Sequence, residues 1–272
     1  MTFPAIEILN PHIQRGRVRH ALFDFDGTLS LIREGWQGVM IPMMVEILLE
    51  TPRHESEAEL LAVVTEFVER LTGKQTIYQM IRLCDEVRQR GGQPLPPLEY
   101  KWRYLDRLWE RIKDRVAGLK NGQLSPEEMM VPGAEPMLKA LRGRGVKCYL
   151  ASGTDEAYVQ DEAAALELSP YFTAIYGALD DYQNYSKKMV IDRILKENHL
   201  SGAELVTFGD GYVEIEDTKA IGGIAVGVAS DEANRQGIDE WKRRRLIKAG
   251  ADLIIPDFSQ HERLVAYLFA ED

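Results

Sequence analysis

"HALFDFDGTLSLIREGW", residues 20–36, decides how the rest of the chain is read. A short apolar run ends in two acids, Asp24 and Asp26, separated by one Phe, and a Gly, a Thr and a Ser follow at once. The run from Val18 to Asp26 is largely apolar and stops at a glycine, the pattern of a buried strand. Two carboxylates crowded at a strand end repel each other unless something cationic sits between them. The plainer alternative is an acidic surface turn.

Outward from this stretch the texture changes twice. From about residue 31 to about residue 130, the segments 35–50, 56–71, 74–90 and 98–116 carry apolar residues three and four apart, with "TPRHE", "LTG" and "GGQPLPP" between them and "GLKNGQLSP" closing the run. These are helix patterns. Beyond residue 131, short apolar strands at 146–152, 172–177, 204–210, 224–230 and 251–256 alternate with helical stretches at 133–145, 155–168, 186–199, 213–223 and 234–250. Strand–helix alternation predicts a parallel sheet covered on both faces, and the first strand belongs to the same sheet. The expected fold class is therefore α/β, a doubly wound parallel sheet built from residues 1–30 and 131–272. An all-helical domain, residues 31–130, is spliced in after its first strand. Ligands of such sheets bind at the carboxyl ends of the strands. Three strands end there in polar residues: Asp24 and Asp26, Ser152, and Asp210.

Composition narrows the partners. With 43 acids against 33 bases the formal net charge is −10, so the chain has no general attraction for nucleic acid or an anionic membrane. Cys84 and Cys148 lack metal-ligand or paired spacing and read as buried thiols in a reducing compartment. The first residues lack a signal peptide's apolar core, and no apolar run approaches the ~20 residues that span a bilayer. A cytoplasmic soluble protein is expected.

Around one crevice, Asp24, Asp26, Asp210 and Glu214 can supply oxygen ligands to a single hard cation such as Mg²⁺. One carboxylate can then attack phosphorus, and a second, two residues on, can protonate the leaving oxygen and later activate water. Ser152 in "ASGT" ends a strand and opens a helix, where a hydroxyl and free N–H groups face an anion. Lys187 or Lys188 in "NYSKKMV" opens another helix and can supply positive charge. Taken singly these features are ordinary: "DG" is often a turn, "SGT" a plain N-cap, and a helix-opening lysine is usually solvated.

The ordered set "DFDGTLS", "ASGT", a helix-opening Lys and "GDGYVE" resembles the four motifs of the haloacid dehalogenase-like (HAD) superfamily, across roughly residues 18–30 and 131–272. Because Asp26 is present, it is similar to the phosphatase and phosphomutase branch. The resemblance implies Asp24 as nucleophile of a phospho-aspartyl intermediate, and Asp26 as general acid/base whose carbonyl also binds Mg²⁺. It implies Thr28 as a brace for that acid, Ser152 and Gly153 as the phosphate-binding motif, and Asp210 as the main metal ligand. The resemblance favours Lys187 over Lys188, because Val190 and Ile194 then fall three and seven positions later, as in similar family members. Glu214 stands where many members carry Asp, and a longer carboxylate still reaches a metal or its water.

The helical insert resembles the superfamily's cap, though about a hundred residues is long for that role. Lys74, Gln75 and Thr76 open a cap helix after a Gly break and are candidate substrate contacts, set against a simple helix start. Arg33 lies just after the first motif and is a candidate for an anionic group of the substrate, set against a solvated arginine. Trp36 reads as cap core, and Tyr100, Trp102, Tyr104 and Trp109 as helix packing. "WKRRRLIK", residues 241–248, reads as a solvated helix face, and no GxGxxG dinucleotide fingerprint occurs. The expected function is a Mg²⁺-dependent phosphatase of a small phosphorylated metabolite: a sugar phosphate, a phosphoglycolate-like acid or a nucleotide monophosphate. The alternatives are a phosphomutase of the β-phosphoglucomutase type and a non-catalytic module that binds a phospho-ligand.

Overall fold

The computed structural model describes residues 6–271. It divides into two compact units, one formed by residues 1–34 and 115–272 and the other by Gly35–Asp114. In the first unit the described residues form a seven-stranded sheet of β1 (Glu7–Ile8), β2 (His20–Phe23), β3 (Lys147–Asp155), β4 (Phe172–Ala178), β5 (Leu205–Gly209), β6 (Ile224–Val228) and β7 (Leu253–Ile255). Their order is β1-β7-β6-β5-β2-β3-β4, with every pairing parallel except β1 with β7. The alternating α/β pattern of the sequence is thus a doubly wound sheet. β1 escapes the sequence pattern because two residues are too few to show a period of two.

β2 is central, and its "HALF" is buried at all four positions. Alternation along the strand sends neighbouring side chains to opposite faces. Leu22 packs with Tyr149, Val190, Ile191 and Ile194 on one side. Phe23 belongs to the other, with its ring stacked 4.6 Å from that of Phe208 and near Phe258. Each such fully buried side chain contributes about 1.5–3 kcal/mol by leaving water.

The chain runs from β2 to β3 and β4 on one side and returns to β5 on the other. This puts the topological switch point, where such sheets take their ligands, at β2. Register makes the strand ends level there, since Phe23 pairs with both Leu150 and Phe208.

In the second unit lie α1 (Gln37–Leu49), α2 (Glu57–Leu71), α3 (Thr76–Gln89) and most of α4 (Pro97–Lys120). In the first lie α5 (Ala134–Gly143), α6 (Glu156–Ala165), α7 (Lys187–Asn198), α8 (Tyr212–Ala220), α9 (Glu240–Lys248) and α10 (His261–Phe269). The second unit buries Met40, Met44, Leu48, Leu60, Val64, Phe67, Met80 and Leu83 on its helices. α2 is started by a reciprocal cap between Ser56 and Glu59. The compact helical unit is narrower than residues 31–130, because 31–34 and 115–130 fall with the sheet.

Two sequence expectations need correction here. The stretch 234–250 is not helical throughout: Gly237 has φ +85°, and Asp239 caps a helix that begins only at Glu240. Nor are the four aromatics of α4 all packed, for Tyr100 and Tyr104 are buried whereas Trp102 and Trp109 are exposed. Cys84 and Cys148 are free, buried thiols as expected, and burial pushes Cys148 up to about 12. Among the described residues no helix is long and apolar enough to cross a membrane.

Candidate active site

The carboxyl ends of β2, β3, β5 and β6 and the starts of α7, α8 and α9 supply the polar cluster. Asp24 follows β2 directly, its N–H donating to Phe208 O at 2.9 Å and fixing it beside β5. Its Oδ1 accepts the Phe25 N–H at 2.8 Å, and its Oδ2 takes Lys187 Nζ at 2.5 Å. Lys187 is the first residue of α7, whose N-cap Ser186 accepts from the Met189 N–H. The cap aims Lys187 inward, where Nζ also donates to Glu214 Oε2 at 3.0 Å. Lys188, by contrast, is exposed and pairs with Asp192. Of the two candidate lysines, the structure brings Lys187 to Asp24.

Glu214 sits in the first turn of α8, its Oε1 accepting the Gly211 N–H at 2.8 Å. A side chain at residue 209 would not fit, because its Cβ would lie 2.2 Å from that Oε1. Burial raises the pKa of Asp24 well above the usual range, reinforced by Glu214 and Asp210 and opposed by Lys187. Lys187 is held protonated: burial disfavours its charge, but Asp24 and Glu214 more than compensate.

Asp26 points its Oδ2 at Thr154 Oγ1 (2.8 Å) and Ser152 Oγ (3.4 Å), both donors at the end of β3. Its Oδ1 lies 3.8 Å from Arg33 Nε and makes no hydrogen bond. Arg33 is itself buried and grips Glu162 of α6, with Nη2 2.6 Å and Nε 3.1 Å from the carboxylate. Thr28 is completely buried and its hydroxyl has no hydrogen-bond partner, so it makes no hydrogen bond to Asp26. Ser152 is nearly inaccessible, its Oγ accepting the Thr154 N–H at 3.1 Å, and Gly153 lies between the two. Lys74, Gln75 and Thr76 lie in the helical unit at the start of α3, with Gln75 buried and Lys74 Nζ 5.9 Å from the Tyr78 ring.

The donor set fits a hard cation. Asp24, Asp210 and Glu214 can each present an oxygen within 4.8 Å of the others. Gly27 opens the space beside them: it has φ +73°, and a Cβ there would stand 2.3 Å from Asp210 Oδ2. The Asp26 carboxylate is not part of this trio and faces Thr154, Ser152 and Arg33 instead. All-oxygen donors of this charge suit Mg²⁺ better than softer metals.

Sequence reasoning missed Thr154, Glu162, Glu232, Ser230 and Lys242. Lys242, in the stretch read as a solvated face, is buried, with Nζ 2.8 Å from Asp210 Oδ2 and 2.6 Å from Glu232 Oε1. Ser230 ties the loop after β6 to the first motif through a 2.5 Å hydrogen bond to Gly27 O. The available signal was position: Lys242 opens the helix after a strand ending at this same edge, as Lys187 does.

The model of haloacid dehalogenase-like hydrolases matches residues 18–222. The chain belongs to that family. No curated protein matches the sequence. Among solved structures, a β-phosphoglucomutase from Clostridium difficile is similar at 14% identity and TM-score 0.63, over 93% of this chain and 98% of its own. A predicted phosphoglycolate phosphatase from Haemophilus somnus matches at 15% and TM-score 0.60, over 91% of this chain and 98% of its own. CbbY from Rhodobacter sphaeroides, solved in complex with phosphate, matches at 17% and TM-score 0.55, over 89% and 96%. At these identities the likeness establishes the HAD fold, to which phosphatases and phosphomutases both belong.

Proposed function

We propose that this HAD-family protein is a Mg²⁺-dependent phosphatase that hydrolyses a small phosphorylated metabolite through a phospho-aspartate on Asp24. One observation carries the reading: Asp24 closes the central strand with Lys187 Nζ 2.5 Å from it, while Asp26, two residues on, is held apart by Thr154 and Ser152. The two acids therefore have different partners and can divide the work. Asp24 attacks phosphorus and the ester oxygen departs with the proton of Asp26. Asp26 then takes a proton from water as that water attacks the phosphorus of the acyl phosphate, which returns Asp24 as a carboxylate and frees inorganic phosphate. Lys187 and the Ser152–Gly153 turn hold the phosphoryl oxygens, and Glu214 keeps Lys187 in place. Mg²⁺, held by Asp24, Asp210 and the first-motif backbone, would supply the charge that lets the phosphate dianion approach these acids.

Substrate choice in this reading belongs to the helical unit, acting as the cap, with Lys74, Gln75 and Thr76 as its candidate residues. Sugar phosphates, phosphoglycolate-like acids and nucleotide monophosphates form the test panel. The expected result is Mg²⁺-dependent release of inorganic phosphate from one class, lost in Asp24→Asn while the circular-dichroism spectrum is retained. Full turnover by Asp24→Asn would remove the nucleophile. An isomeric sugar phosphate formed without phosphate release would replace the phosphatase by a mutase, which uses the same site.

A further inference from the structure

Lys242 is a buried cation that the reaction above does not use. It opens α9, where Asp239 accepts the N–H groups of Trp241 and Lys242 at 2.8 and 2.9 Å and so fixes the first turn. From there its ammonium reaches three groups: Asp210 Oδ2 at 2.8 Å, Glu232 Oε1 at 2.6 Å and Ser230 Oγ at 3.2 Å. Ser230 in turn donates to Gly27 O at 2.5 Å, so the same knot braces the turn that follows the two acids of β2. The cluster thus contains two clamps of the same construction. Lys187 bridges Asp24 and Glu214, and Lys242 bridges Asp210 and Glu232.

The two clamps face different tasks. Lys187 stands on the proposed nucleophile, where a positive charge serves the incoming phosphoryl group. Lys242 stands on the acid assigned to the metal. A divalent cation on Asp210 must share that carboxylate with an ammonium already hydrogen-bonded to it, and the two positive charges repel across a poorly screened site. Glu232 is the second arm that lets both remain: it keeps Lys242 paired when Asp210 turns to the cation. Resting on the proposed Mg²⁺-dependent activity, we infer that Lys242 is a positioning residue that acts through Asp210. Its charge competes for this acid and so lowers the affinity of the site for its divalent cation, with Glu232 as its counter-ion.

The sign follows from charge. Removing one buried positive charge next to a divalent site strengthens cation binding, whereas a residue that only scaffolds Asp210 would weaken binding when lost. Asp210 lies at the β5–α8 junction, whose backbone the sheet holds independently of Lys242. Charge therefore decides the outcome.

Titration of the metal-stripped protein with Mg²⁺ alone, followed by calorimetry with no substrate present, separates the two. Lys242→Met should bind Mg²⁺ at least threefold more tightly than wild type, and Lys242→Arg, which restores the charge, should return to within threefold of it. Glu232→Gln, which leaves Lys242 on Asp210, should bind at least threefold more weakly; if Lys242→Met does not fold, this variant and Lys242→Arg decide. A Lys242→Met affinity within threefold of wild type, or weaker, overturns the role of Lys242 while leaving the proposed phosphatase intact. Failure of the wild-type protein to bind Mg²⁺ at all overturns the metal reading and this inference together.

Discussion

Lys187 and Lys188 are neighbours in sequence, yet one touches two buried carboxylates and the other pairs with Asp192 in solvent. Removing one partner of a buried ion pair costs about 3–5 kcal/mol, because the charge left behind has lost its compensation. An exposed pair is worth about 0–1 kcal/mol. Lys187→Met should therefore lower the urea midpoint by the equivalent of about 3 kcal/mol and, in the proposed reaction, reduce kcat about 10²–10³-fold. Lys188→Met should leave stability within about 0.5 kcal/mol and turnover unchanged. Equal losses in the two variants would mean that the clamp on Asp24 is not what matters. Residues of this kind were legible where the motif put a charged group at a strand end or helix start. Thr154, Glu162 and Lys242 were not, because a hydroxyl, a mid-helix acid and a lysine among arginines look like surface until the sheet gathers them.

The connection leaving β2 is fastened to α6 by the Arg33–Glu162 pair, with both side chains nearly inaccessible. Burial raises the pKa of Glu162, against the opposing pull of Arg33, so the pair is a costly element that stands only while both members are present. Glu162→Met leaves a buried guanidinium without its bidentate partner and should destabilise the protein by about 3–5 kcal/mol. Arg33→Met should do similar harm. The double variant, with two apolar side chains of similar length, should cost clearly less than the sum of the two. Additive losses in denaturant titrations would show that the two residues act apart. Most elements could be read in advance, since β5 and β6 are five-residue, largely apolar runs buried at every position. The start of α9 could not, because Gly237 and the Asp239 cap outweigh an apolar spacing that looks continuous across 234–250. Arg33 was placed near an anion by its sequence position, and the anion beside it here is a protein carboxylate.

Across the whole molecule, acidity has two opposing consequences for folding. With a net charge of −10 and a pI near 5.2, lowering the pH from 7 toward 5 reduces self-repulsion and favours the compact state. His20 works the other way. It lies buried at the start of the central strand, its ring stacked 5.9 Å from Tyr149, and burial lowers its pKa from 6.5 by more than Asn198 and Glu204 restore. The folded protein therefore holds His20 neutral where the unfolded chain protonates it. The unfolded state then binds more protons, so the stability His20 permits is complete above pH 6.5 and is lost as pH falls through the lowered value. The net slope of stability against pH mixes both effects, and a comparison isolates one. His20→Phe keeps an aromatic ring against Tyr149 and leaves the charge balance at pH 7 unchanged. Urea midpoints measured from pH 7.5 down to 5.5 should decline less steeply, or rise more steeply, in this variant than in wild type, with the curves parallel above pH 7. Parallel curves throughout the range would mean that His20 gains its proton in the folded state as readily as in the unfolded one, and that the central strand is more open to water than its burial implies.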